Sequence, residues 1–88
     1  MTVSAIRIDP ADNVICLLRD HEKGERPDLA DGPGPALAEA VALGHKIALA
    51  PIAAGDPVIK YGARIGHATA AIAPGDHVHL HNLAGEGP

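Results

Sequence analysis

The sequence predicts a mainly β domain of short strands and many turns, with at most short helices. Three observations carry that expectation. Ten Gly and eight Pro cut the 88 residues into short pieces. The segments between them are brief apolar or alternating runs of strand length. A unit of turn followed by strand also recurs, Ile52-Ala53-Ala54-Gly55-Asp56-Pro57-Val58 returning twenty residues later as Ile72-Ala73-Pro74-Gly75-Asp76-His77-Val78.

Taken in order, Ala5–Asp9 alternates, with Ile6 and Ile8 on one side and Arg7 and Asp9 on the other. Asn13–Arg19 is a continuous apolar run and reads as a buried strand. Asp20–Pro35 is polar and rich in Gly and Pro, as a loop would be. Ala36–Leu43 consists of good helix formers, and Gly44 is placed as a stop, which predicts a short helix there. Lys46–Ala50 alternates with Ile47 and Leu49 inward, and Val58–Tyr61, Arg64–Ala68 and His77–His81 read as further strands. Gly55, Gly62 and Gly75 mark the turns between them. The repeated unit has a weaker echo in Lys23-Gly24-Glu25. So few copies do not make a solenoid; they suit turn-plus-strand units packed about a pseudo-symmetric centre.

One domain spans residues 1–88, with a core over about 5–83 and a flexible tail at 84–88. A chain of this size hides only about two-thirds of the surface its unfolded form exposes. With no Phe, no Trp and one Tyr, the core must come from eight Ile, eight Leu, five Val and the small Ala side chains. Such a domain gains from a partner surface. The net charge of −4, the lack of a Lys/Arg cluster and the scarcity of aromatic rings argue against nucleic acid as a partner. No apolar run is long enough for a membrane span, no signal peptide is evident, and the cytoplasm is the expected location. Cys16, the one cysteine, lies in the apolar run Val14–Leu18 and reads as a buried structural thiol.

The C-terminal run His77-Val78-His79-Leu80-His81-Asn82 carries the strongest chemical signal. Alternation sets Val78 and Leu80 on one face and three imidazoles on the other, neighbours roughly 6.5–7 Å apart. Three readings compete: a solvated His-rich strand, a face for substrate or a partner, and metal ligation, which needs further ligands. His45 and Lys46 follow a turn and form a cationic pair suited to a carboxylate or hydroxy acid, or an ordinary exposed loop. Lys60 and Tyr61 offer an ammonium and a phenol beside a turn, unless Tyr61 is the one large ring covering the core. His21 and His67 suggest no role. No nucleophile elbow, phosphate loop or Cys-x-x-Cys is present.

Four strings then stand in one order: Gly44-His45-Lys46-Ile47-Ala48-Leu49, Ile52 through Gly62, Ile65-Gly66-His67-Ala68-Thr69, and His77 through Leu83. With Asp12-Asn13-Val14 near the start, they resemble the SAF domain of the altronate/galactarate dehydratase family over roughly residues 5–83. The resemblance is weakest from Arg19 to Leu43. It implies a β-clip fold of the antifreeze-like type. It also implies a part in a carbon–oxygen hydro-lyase that removes water from sugar acids. The chain's end resembles the split form of such enzymes, a small subunit inactive alone, whose site a separate large subunit completes. Carried over by motif, His45, Lys46, His79 and His81 are the expected catalytic positions and Lys60, Tyr61 and Asn82 the expected substrate contacts. A divalent metal, iron among the candidates, would be held mainly by the large subunit, with His45, His79 or His81 lent at the interface. No metal ligand is assigned, and a homo-oligomer stays open. A split sulfolactate sulfo-lyase uses a similar small subunit, with sulfite leaving in place of water. A stand-alone module that captures a metal ion or sugar acid without chemistry is the reading from another class. Ice binding fits poorly with three exposed histidines. Two departures from the family pattern, the Ala/Pro-rich stretch Asp28–Leu43 and His67, bear on substrate identity.

Overall fold

The computed structural model describes residues 3–85. They form nine short strands: β1 (Ala5–Ile6), β2 (Val14–Leu17), β3 (Asp28–Leu29), β4 (Gly32–Pro33), β5 (Lys46–Ala48), β6 (Pro57–Lys60), β7 (Ala63–Ala68), β8 (His77–Val78) and β9 (Leu83–Gly85). All pairings are antiparallel. A four-stranded sheet runs β1-β2-β5-β8, β3 and β4 form a hairpin, and β6-β7-β9 form a third sheet.

The four-stranded sheet is the middle layer. Alternation along its strands sends Ala5, Ile15, Leu17 and Ile47 to one face, where Leu29, Leu37 and Val41 cover them. Val14, Ala48 and Val78 go to the other face, beneath Ile52, Val58, Ala68 and Ile72. Both faces are buried, which is why Val14–Leu17 is apolar throughout rather than alternating.

The internal repeat is longer than the sequence suggests. The bridge His21↔Val41 recurs as Ile52↔Ile72, each residue 31 positions later. The pairs Ile15↔Ile47 and Cys16↔Lys46 recur as Lys46↔Val78 and Ile47↔His77. Asp28↔Pro33 and Leu29↔Gly32 recur as Ile59↔Arg64 and Lys60↔Ala63. Turn bonds follow the same offset: Leu17 O accepts from Gly44 N as Ala48 O does from Gly75 N. Each half covers one face of the middle sheet, and β5 belongs to both halves. The twenty-residue spacing read from sequence links two turns within the second half, not the two halves.

Four turns thus share one design, with Gly24, Gly44, Gly55 and Gly75 at φ 85 to 89°. In each, the following residue (Glu25, His45, Asp56, Asp76) donates its N–H three residues back. Two of those acids also cap their own turn, Glu25 Oε1 accepting from Glu22 N and Asp76 Oδ2 from Ala73 N. At another of these four positions stands His45, whose ring instead meets His77.

The expected helix at Ala36–Leu43 does not form, and there is no helix among the described residues. Its backbone bonds to other segments instead: Leu37 N to Glu25 O, Ala38 N to Gly75 O, and Val41 N to His21 O. Leu37 and Val41 reach the core from an extended chain, so tertiary pairing overrides local propensity. The expected loop Asp20–Pro35 contains the β3–β4 hairpin. The expected strand His77–His81 stops at Val78, and Leu80, expected beside Val78, is 81% exposed. Ala84 and Gly85, expected in a tail, lie in β9, while residues 86–88 of that tail lie outside the described residues.

Candidate active-site edge

His45 and His77 sit side by side at the β5–β8 end of the middle sheet. His45 Nδ1 and His77 Nε2 are 3.0 Å apart, a direct imidazole–imidazole hydrogen bond. His79 joins them, its ring centroid 5.4 Å from that of His45 and 5.5 Å from that of His77. His81 lies 5.6 Å from His77. The histidines gather although the strand ends, because a turn folds His79–Asn82 back. Asn82 builds that turn: its Oδ1 accepts from His79 N, its Nδ2 donates to His77 O, and its N–H donates to His79 O. It is buried, with both ends of the amide committed to backbone.

Glu39 approaches from the segment that covers this face, its Oε1 3.7 Å from His77 Nδ1. Burial lowers the His77 pKa, electrostatic interaction with the neighbouring His45 and His79 rings lowers it further, and Glu39 opposes them. The net effect favours the neutral ring.

Alternation along β5 places Lys46 on the opposite face of the sheet from His45, directly across from Cys16 on β2. Burial lowers the Lys46 pKa, Lys60 lowers it again, and Cys16 works the other way. Cys16 is half-buried beside this lysine, not sealed in the core as expected. Lys60 Nζ lies 5.0 Å from the centroid of the Tyr61 ring. Tyr61 does not cover the core; the residue is 61% exposed. It occupies a two-residue hairpin turn with Gly62, at φ 58°, the one non-Gly residue with positive φ among those described. A two-residue hairpin turn needs positive φ at both central positions, and Gly62 takes it too, at 71°.

That conformation is imposed from Asp12. Its Oδ2 accepts from Tyr61 N at 3.1 Å and its Oδ1 from Gly62 N at 2.8 Å. Burial works against the charge, but the N–H groups of Gly62, Asp9 and Tyr61, with Arg7 nearby, hold the carboxyl below its usual range. Asn13 clamps the strand behind, donating to Pro57 O and accepting from Ile59 N.

Residues 3–86 match the altronate/galactarate dehydratase SAF domain family. The chain belongs to that family. This SAF domain is 46% identical over 79 residues to an altronate dehydratase of Bacillus subtilis (strain 168). It is 48% identical over 77 residues to an altronate dehydratase of Escherichia coli (strain K12). The matches cover 90% and 88% of this chain but only 16% and 15% of those two proteins. It is also 42% identical over 45 residues to the (2R)-sulfolactate sulfo-lyase subunit alpha of Chromohalobacter salexigens, covering 51% of this chain and 48% of that subunit.

The SAF domain therefore holds its expected site residues in two groups. His45, His79 and His81 gather with His77 on one side, and Lys46 lies on the other, where the charge of Lys60 reaches it. Sequence reasoning missed Glu39, Asp12 and the partnership of His45 with His77. Only the Asp-Asn pair before a strand hinted at Asp12. His21, given no role, is buried and structural, its ring bonded to Arg19 O and to Ser4 Oγ. Among the described residues no helix is long and apolar enough to cross a membrane.

Proposed function

We propose that this SAF domain is the small component of a sugar-acid dehydratase of the altronate/galactarate type, lending side chains to an active site completed by a large subunit. The gathering of His45, His77, His79 and His81 at one edge carries the reading. Dehydration of a hydroxy acid needs a base for the proton beside the carboxylate and an acid for the departing hydroxyl, tasks that imidazoles near neutral pH perform. Lys46 and Lys60 supply positive charge for carboxylates, and Tyr61 an exposed hydroxyl. Asn82 acts by shaping the His79–His81 turn.

Two features support a larger assembly. The altronate dehydratases similar to this chain are more than six times the length it matches. Val3, Ile6, Ile8 and Leu18 form exposed apolar surface near β1, the opposite edge of the middle sheet from the histidines. Among the described residues no three His, Cys, Asp or Glu side chains are arranged to hold a metal ion. The His45–His77 bond already commits two imidazole nitrogens. A divalent metal in this enzyme would take its ligands mainly from the large subunit.

A second reading is the small subunit of a sulfolactate sulfo-lyase. It is favoured by matches to two proteins that are themselves subunits, of which the chain covers 48% and 63%. Turnover measured on altronate, galactarate and (2R)-sulfolactate, for the chain alone and with its large subunit, separates the readings. Turnover of a sugar acid by the pair only is expected. Turnover of sulfolactate alone selects the second reading, and tight sugar-acid or metal binding by the chain alone, without turnover in either form, would leave a binding module.

A further inference from the structure

We propose that Glu39 and His77 are positioning residues that fix the tautomer of His45 and present its Nε2 as a proton acceptor. The relay is read from three side chains in a row. Glu39 Oε1 faces His77 Nδ1 at 3.7 Å, and His77 Nε2 meets His45 Nδ1 at 3.0 Å. A carboxylate only accepts hydrogen bonds, so the His77 nitrogen facing it favours carrying the proton. A neutral imidazole holds one proton, which leaves His77 Nε2 a lone pair. The nitrogen 3.0 Å away must then donate, and His45 carries its proton on Nδ1. Its other nitrogen, Nε2, is unprotonated and has no partner among the described residues.

The neutral state of His77 supports the chain of donors, since a doubly protonated ring could not accept from His45. The charged and titratable groups around the pair are Glu39, His79 and His81. When Nε2 of His45 takes a proton the ring becomes cationic. Its Nδ1–H bond to His77 strengthens, and Glu39 stabilises the charge through the second ring. The arrangement uses the carboxylate–imidazole logic of hydrolase triads, with a second imidazole as the group activated. It also accounts for His45 standing at a turn position where two of its three structural equivalents, Glu25 and Asp76, carry acids that cap their own turn.

The role of His45 as a base rests on the proposed dehydratase reading; the tautomer does not. Long-range proton–nitrogen NMR correlation on the labelled full chain near pH 8 reports both. The expected result is His45 protonated on Nδ1, shifting toward the Nε2–H form in His77→Phe and in Glu39→Gln. The Glu39 side chain is 60% exposed, so Glu39→Gln keeps the fold. Wild-type His45 protonated on Nε2, or an Nδ1 proton unmoved by both substitutions, overturns the relay whatever the turnover. In the complex with the large subunit, Glu39→Gln should lower kcat by about tenfold with KM unchanged and alter the acid limb of the pH profile, and Glu39→Asp should restore part of the rate. An unchanged kcat and profile in Glu39→Gln overturns the positioning role. The expected tautomer without turnover of any sugar acid by the complex defeats the dehydratase reading instead.

Discussion

The carboxylate of Asp12 holds the backbone of Tyr61, 49 positions later in the chain, accepting its N–H at 3.1 Å. The same carboxylate takes the N–H groups of Gly62 and Asp9. Three donors converge on one buried anion, so removing it strands backbone groups and frees the turn that carries the phenol. Hydrogen bonds to charged groups each contribute about 1.5–3 kcal/mol. Asp12→Ala should cost about 3 kcal/mol in urea denaturation and weaken substrate binding in the proposed two-subunit enzyme. A loss under about 0.5 kcal/mol would show that the turn holds itself.

Tyr61 should behave in the opposite way. A non-Gly residue in the left-handed region costs about 1–2 kcal/mol, and its exposed ring returns little burial energy. Tyr61→Gly is expected to leave stability unchanged or raise it by up to about 1 kcal/mol while lowering turnover in the complex. A clear fall in melting temperature would make the ring structural after all.

Two glycines of the repeated turns give a matched comparison. Gly44 and Gly75 share φ near 88°, but a Cβ on Gly44 meets open space whereas one on Gly75 runs into Ala36 O. Gly44→Ala should cost about 1 kcal/mol, the backbone term alone. Gly75→Ala should cost at least twice that or prevent folding, since backbone must move. Equal losses in thermal melts would contradict the close packing of the two halves.

Stability should also fall with mild acid through His77. Its pKa is depressed in the folded state, so the unfolded chain binds the proton more readily. The contribution is complete above the ordinary imidazole value of about 6.5 and is lost as pH drops through the lower folded value. Melting temperature should therefore decline below about pH 6.5, and the decline should be shallower in His77→Phe. Parallel curves for the two proteins would assign the pH dependence to other groups.

Much of this was legible from the chain itself. Ile47 and Val58 announced β5 and β6 through alternation and flanking turns, and the motif strings singled out His45, His79 and His81, which the fold brings together. What stayed hidden is tertiary. Leu37 and Val41 lie four apart, as on a helix, yet their backbone groups bond to Glu25 and His21. The 31-residue repeat keeps few identities, among them Leu18 and Leu49, Ala42 and Ala73, and the paired glycines. Elsewhere its equivalents differ in kind: His21 stands for Ile52, and Lys46 for His77. Backbone hydrogen bonding preserves such symmetry without preserving side chains. Glu39 was hidden for a related reason, since its meeting with His77 spans segments that sequence spacing does not connect.

The histidine edge is best tested by turnover of altronate in a purified complex of this chain with the proposed large subunit, comparing wild type with His45→Gln at matched complex recovery. Activity in the wild-type complex, none in either chain alone, and a loss of at least about a hundredfold in His45→Gln is the expected result. Full activity of the His45→Gln complex, or turnover by this chain without a partner, would contradict it.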